Sequence, residues 1–105
     1  MSNMPTIEAV SLEYVRVQVT ALKSGAAYDP TTDVVKIAFV LSGEKAATAT
    51  WYTASWEQSD ETYWAGCLVG PGGTATLTAG LYSVYVKVTD SPEVPVKLAG
   101  SLTVV

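Results

Sequence analysis

The sequence has no histidine, one cysteine and one arginine among its 105 residues, and each scarcity excludes a kind of chemistry. Without histidine the chain cannot build a Ser-His or Cys-His catalytic pair or a histidine-ligated metal site. The single cysteine, Cys67, cannot form an internal disulfide, which is typical of proteins that fold in a reducing compartment. It lies in an apolar alternation with no cationic neighbour in the sequence, so we interpret it as a buried thiol and not as a nucleophile.

Positive charge and long apolar runs are also scarce. Ten acidic residues against six basic ones give a formal net charge of −4, and the lysines are scattered singly. Nucleic-acid binders cluster their cations, so we expect no nucleic-acid partner. No apolar run approaches the ~18 residues of a membrane span, and MSNMPTIEA has neither the basic nor the apolar region of a secretory signal. We therefore expect a soluble protein that is made in a cytoplasm and has no membrane partner.

Carboxylates and one glycine-rich segment are the remaining candidates for a catalytic or metal site. The segment 70–73, GPGG, lacks the Lys-Ser/Thr that completes a phosphate-binding loop, and we interpret it as a turn. Acidic residues of the predicted loops are expected to be solvated, although paired carboxylates can in principle hydrolyse glycosides. Calcium is an alternative, with Asp29 and Asp33 or Asp60 and Glu61 as oxygen donors, but the spacing of an EF-hand is missing. We predict no catalytic residue, no cofactor and no metal.

Alternating apolar and polar residues are abundant, and they predict strand after strand with no sustained helical period. The last predicted strand places Val96, Leu98, Leu102 and Val104 on one face. A five-residue loop, 57–61, is expected to close a hairpin in the middle of the chain. The predicted strands are 6–10, 14–21, 34–41, 50–56, 62–69, 83–89 and 96–104. Short strands separated by turns favour an antiparallel sandwich formed by residues 1–105 as a single domain.

The segment LTAGLYSV, residues 77–84, indicates which type of β-sandwich the chain forms. It resembles the tyrosine corner of the immunoglobulin fold, in which a tyrosine at the start of strand F turns its hydroxyl onto the backbone a few residues upstream. Tyr82 would take that role, while Val84 stands where an antibody domain has its second cysteine. The predicted fold class is therefore all-β, an antiparallel Ig-like β-sandwich of about seven strands. The alternative is an ordinary core tyrosine in front of a strand.

The middle hairpin offers a candidate interaction surface. If Trp56 faces Thr62, then Tyr52, Trp56 and Trp64 share one face of the hairpin. We assign the opposite face to the core, because there Trp51 would lie opposite Cys67 and bury a large ring against a small residue. The three rings would then project as an aromatic patch, which is typical of a contact surface. The alternative is a register shifted by one residue, which would place these rings in the core.

Five segments that together cover most of the chain carry a family resemblance. They are PTIEAVSLEYVRVQVTA, YDPTTDVVKIAFV, WYTASWE, AGCLVGPGG and LTAGLYSVYVKVTDSPEVPVKLAGSLTVV. These segments resemble small Ig-like structural proteins encoded in the virion-structure genes of tailed actinobacterial phages. The resemblance implies a structural component of a phage particle that has no catalytic activity. It also implies synthesis in the cytoplasm of the bacterial host and a final location in the virion.

Small size, acidic charge and the lack of a catalytic set favour one role in such a particle. We expect a capsid accessory protein, a decoration or minor capsid protein that contacts the shell and its own copies, so that its partners are other virion proteins and it forms a homo-oligomer. A head-to-tail connector or tail component satisfies the same statements. The alternative of another class is a carbohydrate-binding module, because sugar rings stack on flat aromatic side chains such as Tyr52, Trp56 and Trp64.

Overall fold

The computed structural model describes residues 6–19, 22–23, 26–27, 30–31, 33–45, 49–59, 62–89, 94 and 96–105, which form strands and connecting turns. None of these residues belongs to a helix that is long and apolar enough to cross a membrane. Ten strands run along this part of the chain. They are β1 (Thr6–Ile7), β2 (Glu13–Val19), β3 (Leu22–Lys23), β4 (Ala26–Ala27), β5 (Val34–Leu41), β6 (Trp51–Thr53), β7 (Ser55–Ser59), β8 (Thr62–Val69), β9 (Gly80–Thr89) and β10 (Val96–Val104).

Two sheets pack face to face. One has five strands in the order β1-β10-β9-β5-β6 and the other has three in the order β2-β8-β7, while β3 and β4 pair separately. The paired strands are antiparallel except β1 and β10, which run parallel. The order β10-β9-β5-β6 opposite β2-β8-β7 matches the G-F-C-C′ and B-E-D strands of an Ig-like sandwich. The all-β antiparallel sandwich predicted from the sequence is confirmed.

The core lies between the sheets and is built from alternate residues of the long strands, because successive side chains of a strand point to opposite faces. Among the described residues no polar or charged side chain is buried. Valine dominates, since its branched side chain packs well on a pleated surface. The core side chains are Ile7, Val15, Val17, Val19, Val35, Ile37, Phe39, Ala65, Cys67, Val69, Ala75, Tyr82, Val84, Val86, Val88, Leu102 and Val104.

Tyr82, near the start of β9, makes the hydrogen bond predicted for a tyrosine corner. Its hydroxyl donates to the carbonyl oxygen of Thr78 at 2.8 Å, and the Thr78 hydroxyl lies 3.3 Å from it. The ring itself is buried in the core. The polar end of a large core side chain is thereby satisfied by the backbone in front of the strand.

The middle hairpin differs from the prediction. β7 continues to Ser59, which faces Thr62, so the connection is residues 60–61 and not the five-residue loop expected. In this register Trp56 faces Ala65, a fully buried residue of the core side of β8. The predicted grouping of Trp56 with Trp64 on one outward face is therefore wrong. An odd shift in register turns every side chain of the strand to the other face.

The predicted strand 50–56 is two strands that belong to different sheets. β6 pairs with β5 in the five-stranded sheet, and β7 pairs with β8 in the other. The chain crosses between the sheets at Ala54, whose amide donates to the carbonyl oxygen of Val35 at 3.0 Å. Tyr52 on β6 faces Ile37, a fully buried core residue, so its ring is on the inner side of the sheet. The prediction that Trp51 lies in the core opposite Cys67 is wrong, because Trp51 faces Ala38 on the outer side of this sheet.

A β-bulge divides β10 into two halves that present opposite faces. The pairing with β9 shifts between Leu98, which faces Tyr85, and Gly100, which faces Val84. Because of this shift, Leu102 and Val104 point into the core, whereas Val96 and Leu98 point outward. The prediction that all four share one face is wrong.

The first and last strands of the larger sheet lie side by side. β1 runs parallel to the end of β10, with Thr6 opposite Thr103 and Ile7 opposite Val104. The contact continues past the strands, because the amide of Val105 donates to the carbonyl of Ile7 at 3.0 Å. The amide of Ala9 donates in turn to the carbonyl of Val105 at 2.8 Å.

Candidate functional site

The three aromatic residues predicted to form one patch are separated by the fold. The Tyr52 ring packs on the core, with its centroid 6.2 Å from that of Phe39. Trp56 also packs against the core, and its indole Nε1 donates to the carbonyl oxygen of Asp33 at 2.9 Å. Trp64 alone faces outward, on the three-stranded sheet. The sandwich therefore does not present Tyr52, Trp56 and Trp64 as a common surface.

The outer face of the three-stranded sheet carries Trp64 together with a balanced pair of charges. Trp64 lies between Gln18 of β2 and Glu57 of β7. Glu57 forms an ion pair with Arg16, and the hydrogen bond in this pair raises the pKa of Arg16 above its ordinary value. The Arg16 guanidinium also lies 5.1 Å from the centre of the Tyr14 ring. Both charged side chains are about half exposed, so the pair contributes little to stability but leaves this face locally neutral.

The outer face of the five-stranded sheet has a different character. One side chain from each of β6, β5, β9 and β10 lies in a continuous line across it, and we call this line the outer row: Trp51, Ala38, Tyr85 and Leu98. Ala38, at its centre, is completely buried, whereas Leu98 at one end is 63% exposed. The solvated face of an antiparallel sheet normally carries polar residues. The outer row is instead apolar and aromatic, and it ends at the exposed side chain of Leu98.

Two lysines flank the outer row. Lys36 of β5 lies directly opposite Lys87 of β9, and Lys87 lies opposite Val96 of β10. The Lys87 ammonium is 4.4 Å from the centre of the Trp51 ring, a cation–π contact. Val96 is 45% exposed beside them and extends the apolar surface toward the edge of the sheet.

The electrostatics of this face are unfavourable for the isolated fold. Like charges directly opposite each other on adjacent strands destabilise a sheet. Neither Lys36 nor Lys87 forms an ion pair within the part of the chain that the structure describes. Among the described residues this face therefore carries two unpaired positive charges, on a chain whose formal net charge is −4.

The other candidate groups form no metal or catalytic site among the described residues. Across the described ranges, no three cysteine or acidic side chains lie close enough together to hold a metal ion. Asp33 is the one proposed calcium donor among the described residues, while Asp29, Asp60 and Glu61 fall outside them. Cys67 is buried, and desolvation raises the pKa of its thiol. A protonated, enclosed thiol is a poor nucleophile.

One residue of the sequence, Gly100, signals the outward position of Leu98 in the outer row. Gly100 interrupts the alternation of the last strand, and a glycine inside a strand often marks a bulge. A bulge there would have predicted that Leu98 faces outward.

Comparison of the chain with protein-family models, with curated proteins and with solved structures gives no match.

Proposed function

We propose that this chain is a non-enzymatic structural protein of a phage particle, a capsid accessory protein that binds the shell through the outer face of its five-stranded sheet. The resemblance of most of the sequence to virion proteins of tailed actinobacterial phages supports the phage assignment. The observation that carries the binding role is the outer row. The exposed side chains of Leu98 and Val96 and the partly exposed rings of Trp51 and Tyr85 gain free energy when another protein surface removes them from water.

The size of the face fits a protein that acts in many copies. Strands about 4.8 Å apart give the four strands a width of roughly 20 Å, and a rise of about 3.3 Å per residue over roughly three to six residues gives a length of about 10 to 20 Å. The resulting area is smaller than the roughly 800 Å² that each partner contributes to a stable standard interface. Attachment to a shell with many equivalent positions, together with contacts between copies of this chain, would supply the remaining affinity.

Shells from particles that lack this gene product provide the test. The purified chain is mixed with such shells and the bound fraction is measured after sedimentation. We expect binding by the wild type and loss of binding in a Trp51→Ser, Leu98→Ser variant. The matched control, Trp64→Ser with Leu68→Ser, removes apolar side chains from the outer face of the other sheet and should keep binding. Circular dichroism of both variants checks that they are folded.

The same particles separate the capsid role from the connector or tail role. A capsid accessory protein predicts shells that lose resistance to heat or salt when it is missing. Heads of normal resistance that lack tails would instead assign the chain to the connector or tail.

Carbohydrate binding is supported less well by the geometry. A sugar-stacking platform needs flat rings with free faces, yet Tyr52 and Trp56 pack on the core and the Lys87 ammonium lies over the Trp51 ring. A glycan screen that finds saturable binding, lost in a Trp51→Ala, Tyr85→Ala variant, would replace the structural role with a carbohydrate-binding one.

A further inference from the structure

We infer that the outer face of the five-stranded sheet accepts an acidic protein surface, which places carboxylates against Lys36 and Lys87 and an apolar side chain on the outer row. The inference deepens the proposed function and rests on it for the identity of the particle. The chemistry of the partner is argued from the face itself.

The position of the two lysines is the first step. They occupy the two innermost strands of the outer row, directly opposite each other, where their repulsion weakens the free protein. A carboxylate placed between the two ammonium groups would accept charge-assisted hydrogen bonds from both. Binding of an acidic group thus removes an unfavourable interaction as well as forming a favourable one.

The cation–π contact is the second step. The Trp51 ring holds the Lys87 ammonium 4.4 Å from its centre and so keeps this charge at the border of the apolar row. The ammonium has three donors, and the ring occupies only the side that faces it. A partner that reaches the remaining donors therefore meets the outer row at its Trp51 end.

The third step excludes a second copy bound through the same face. A twofold interface would set the Lys36 and Lys87 pair of one copy against the surface that carries the same pair in the other copy. The described carboxylate on the opposite outer face, Glu57, is already engaged by Arg16. A twofold contact between copies through this face is therefore unfavourable, and we assign the face to a different protein.

Nucleic acid and anionic membranes fit less well than an acidic protein. Two lysines neutralise few phosphates, and the affinity for a polyanion grows with the number neutralised. The net charge of −4 repels an extended anionic surface. A direct contact between a lysine and a single carboxylate acts over only a few ångströms, so salt screens it less than it screens longer-range interactions.

The test uses the full chain labelled with ¹⁵N and a peptide in which glutamate alternates with leucine and phenylalanine. We expect shifts of the amide signals of Ala38, Tyr85 and Leu98 and of the indole signal of Trp51. A Lys36→Glu, Lys87→Glu variant should bind the peptide about tenfold or more weakly. The matched control is Lys45→Glu with Lys97→Glu, which changes the net charge equally, in the turn after β5 and on the opposite side of β10. It should bind like the wild type.

A second variant separates a binding role of the lysines from a structural one. Lys36→Gln removes the repulsion, so the free protein should melt higher by about 1 to 5 °C while its affinity for the peptide falls. If Lys36 were needed for folding, Lys36→Gln would lower both the melting temperature and the affinity for the peptide. Equal affinity of all variants, shifts elsewhere on the chain, or stronger binding to duplex DNA or to phosphatidylserine vesicles would overturn the inference.

The shells distinguish failure of the inference from failure of the proposed function. If shells bind the wild type and the Lys36→Glu, Lys87→Glu variant equally, the acidic partner is wrong while the capsid role stands. Suppose instead that shells bind neither protein, while the peptide shifts the signals of the outer row and binds the Lys36→Glu, Lys87→Glu variant more weakly. In that case the capsid role is wrong and the acidic-surface inference stands.

Discussion

At the scale of single residues, Tyr82 ties β9 to the segment that precedes it. We expect Tyr82→Phe to lower the free energy of unfolding by about 0.5 to 1.5 kcal/mol, because the hydrogen bond to the Thr78 carbonyl is lost while the ring still fills the core. Urea denaturation followed by fluorescence measures the change.

Tyr85→Phe is the matched control for Tyr82→Phe, since it removes the same atom from a half-buried tyrosine of the same strand on the outer face. The Tyr85 hydroxyl has no hydrogen bond to another described residue, so its removal should leave the urea midpoint nearly unchanged. Equal midpoints for the two variants would show that the tyrosine corner contributes nothing to stability.

Cys67 gives a prediction about pH. Burial raises the pKa of its thiol in the folded state because desolvation disfavours the thiolate. The stability that follows is fully present below the pKa of the unfolded thiol and is lost as pH rises through the folded pKa. Between about pH 7 and about pH 9.5, the urea midpoint should therefore fall more for the wild type than for Cys67→Ala. Parallel midpoints would contradict a desolvated thiol.

At the scale of the elements, the long strands were the predictable part of the fold. The bounds of β5, β8 and β10 agree with the sequence prediction, because each is a strong alternation bounded by breakers or by turn-forming segments. The register of β7 was not predictable, since it depends on contacts remote in sequence, such as that of the Trp56 indole with the carbonyl of Asp33.

The candidate site was predicted less well than the strands, and the reason lies in two irregularities. The crossing at Ala54 puts β6 and β7 in different sheets, which separates Tyr52 from Trp64. The bulge in β10 turns Leu98 outward, although its sequence pattern places it with Leu102. Alternation specifies which residues share a face only while the pairing is regular.

The connection after β8 packs tightly against the segment before β2, and Gly70 makes this approach. Gly70 has a φ of +135°, and a Cβ there would lie 2.0 Å from the backbone oxygen of Ser11. We expect Gly70→Ala to cost about 3 kcal/mol or more, from backbone strain together with the clash. Thermal unfolding measures the loss.

Gly72 serves as the control for the clash in this connection. It also has a positive φ, +81°, but nothing lies within 4 Å of the position of its Cβ. Gly72→Ala should therefore cost only the backbone strain, about 1 to 2 kcal/mol. A Gly70→Ala variant no less stable than Gly72→Ala would mean that the two segments can separate without loss.

At the scale of the whole molecule, the two outer faces are chemically unlike. Arg16 and Glu57 neutralise each other on the three-stranded sheet, whereas on the five-stranded sheet Lys36 and Lys87 have no ion-pair partner among the described residues. A molecule with unlike faces has a defined orientation on any surface that it binds. We infer that the sheet with the outer row meets the partner and that the three-stranded sheet is turned away from it.

The parallel pairing of β1 with β10 has a consequence for mechanical load. Tension that enters the sandwich through Thr6 and leaves it through Val105 pulls the two strands lengthwise in opposite directions. The hydrogen bonds between Ile7, Ala9 and Val105 then lie across the pulling direction and share the force, instead of opening one after another. The chain would thus resist extension at the two strands where such a load first acts.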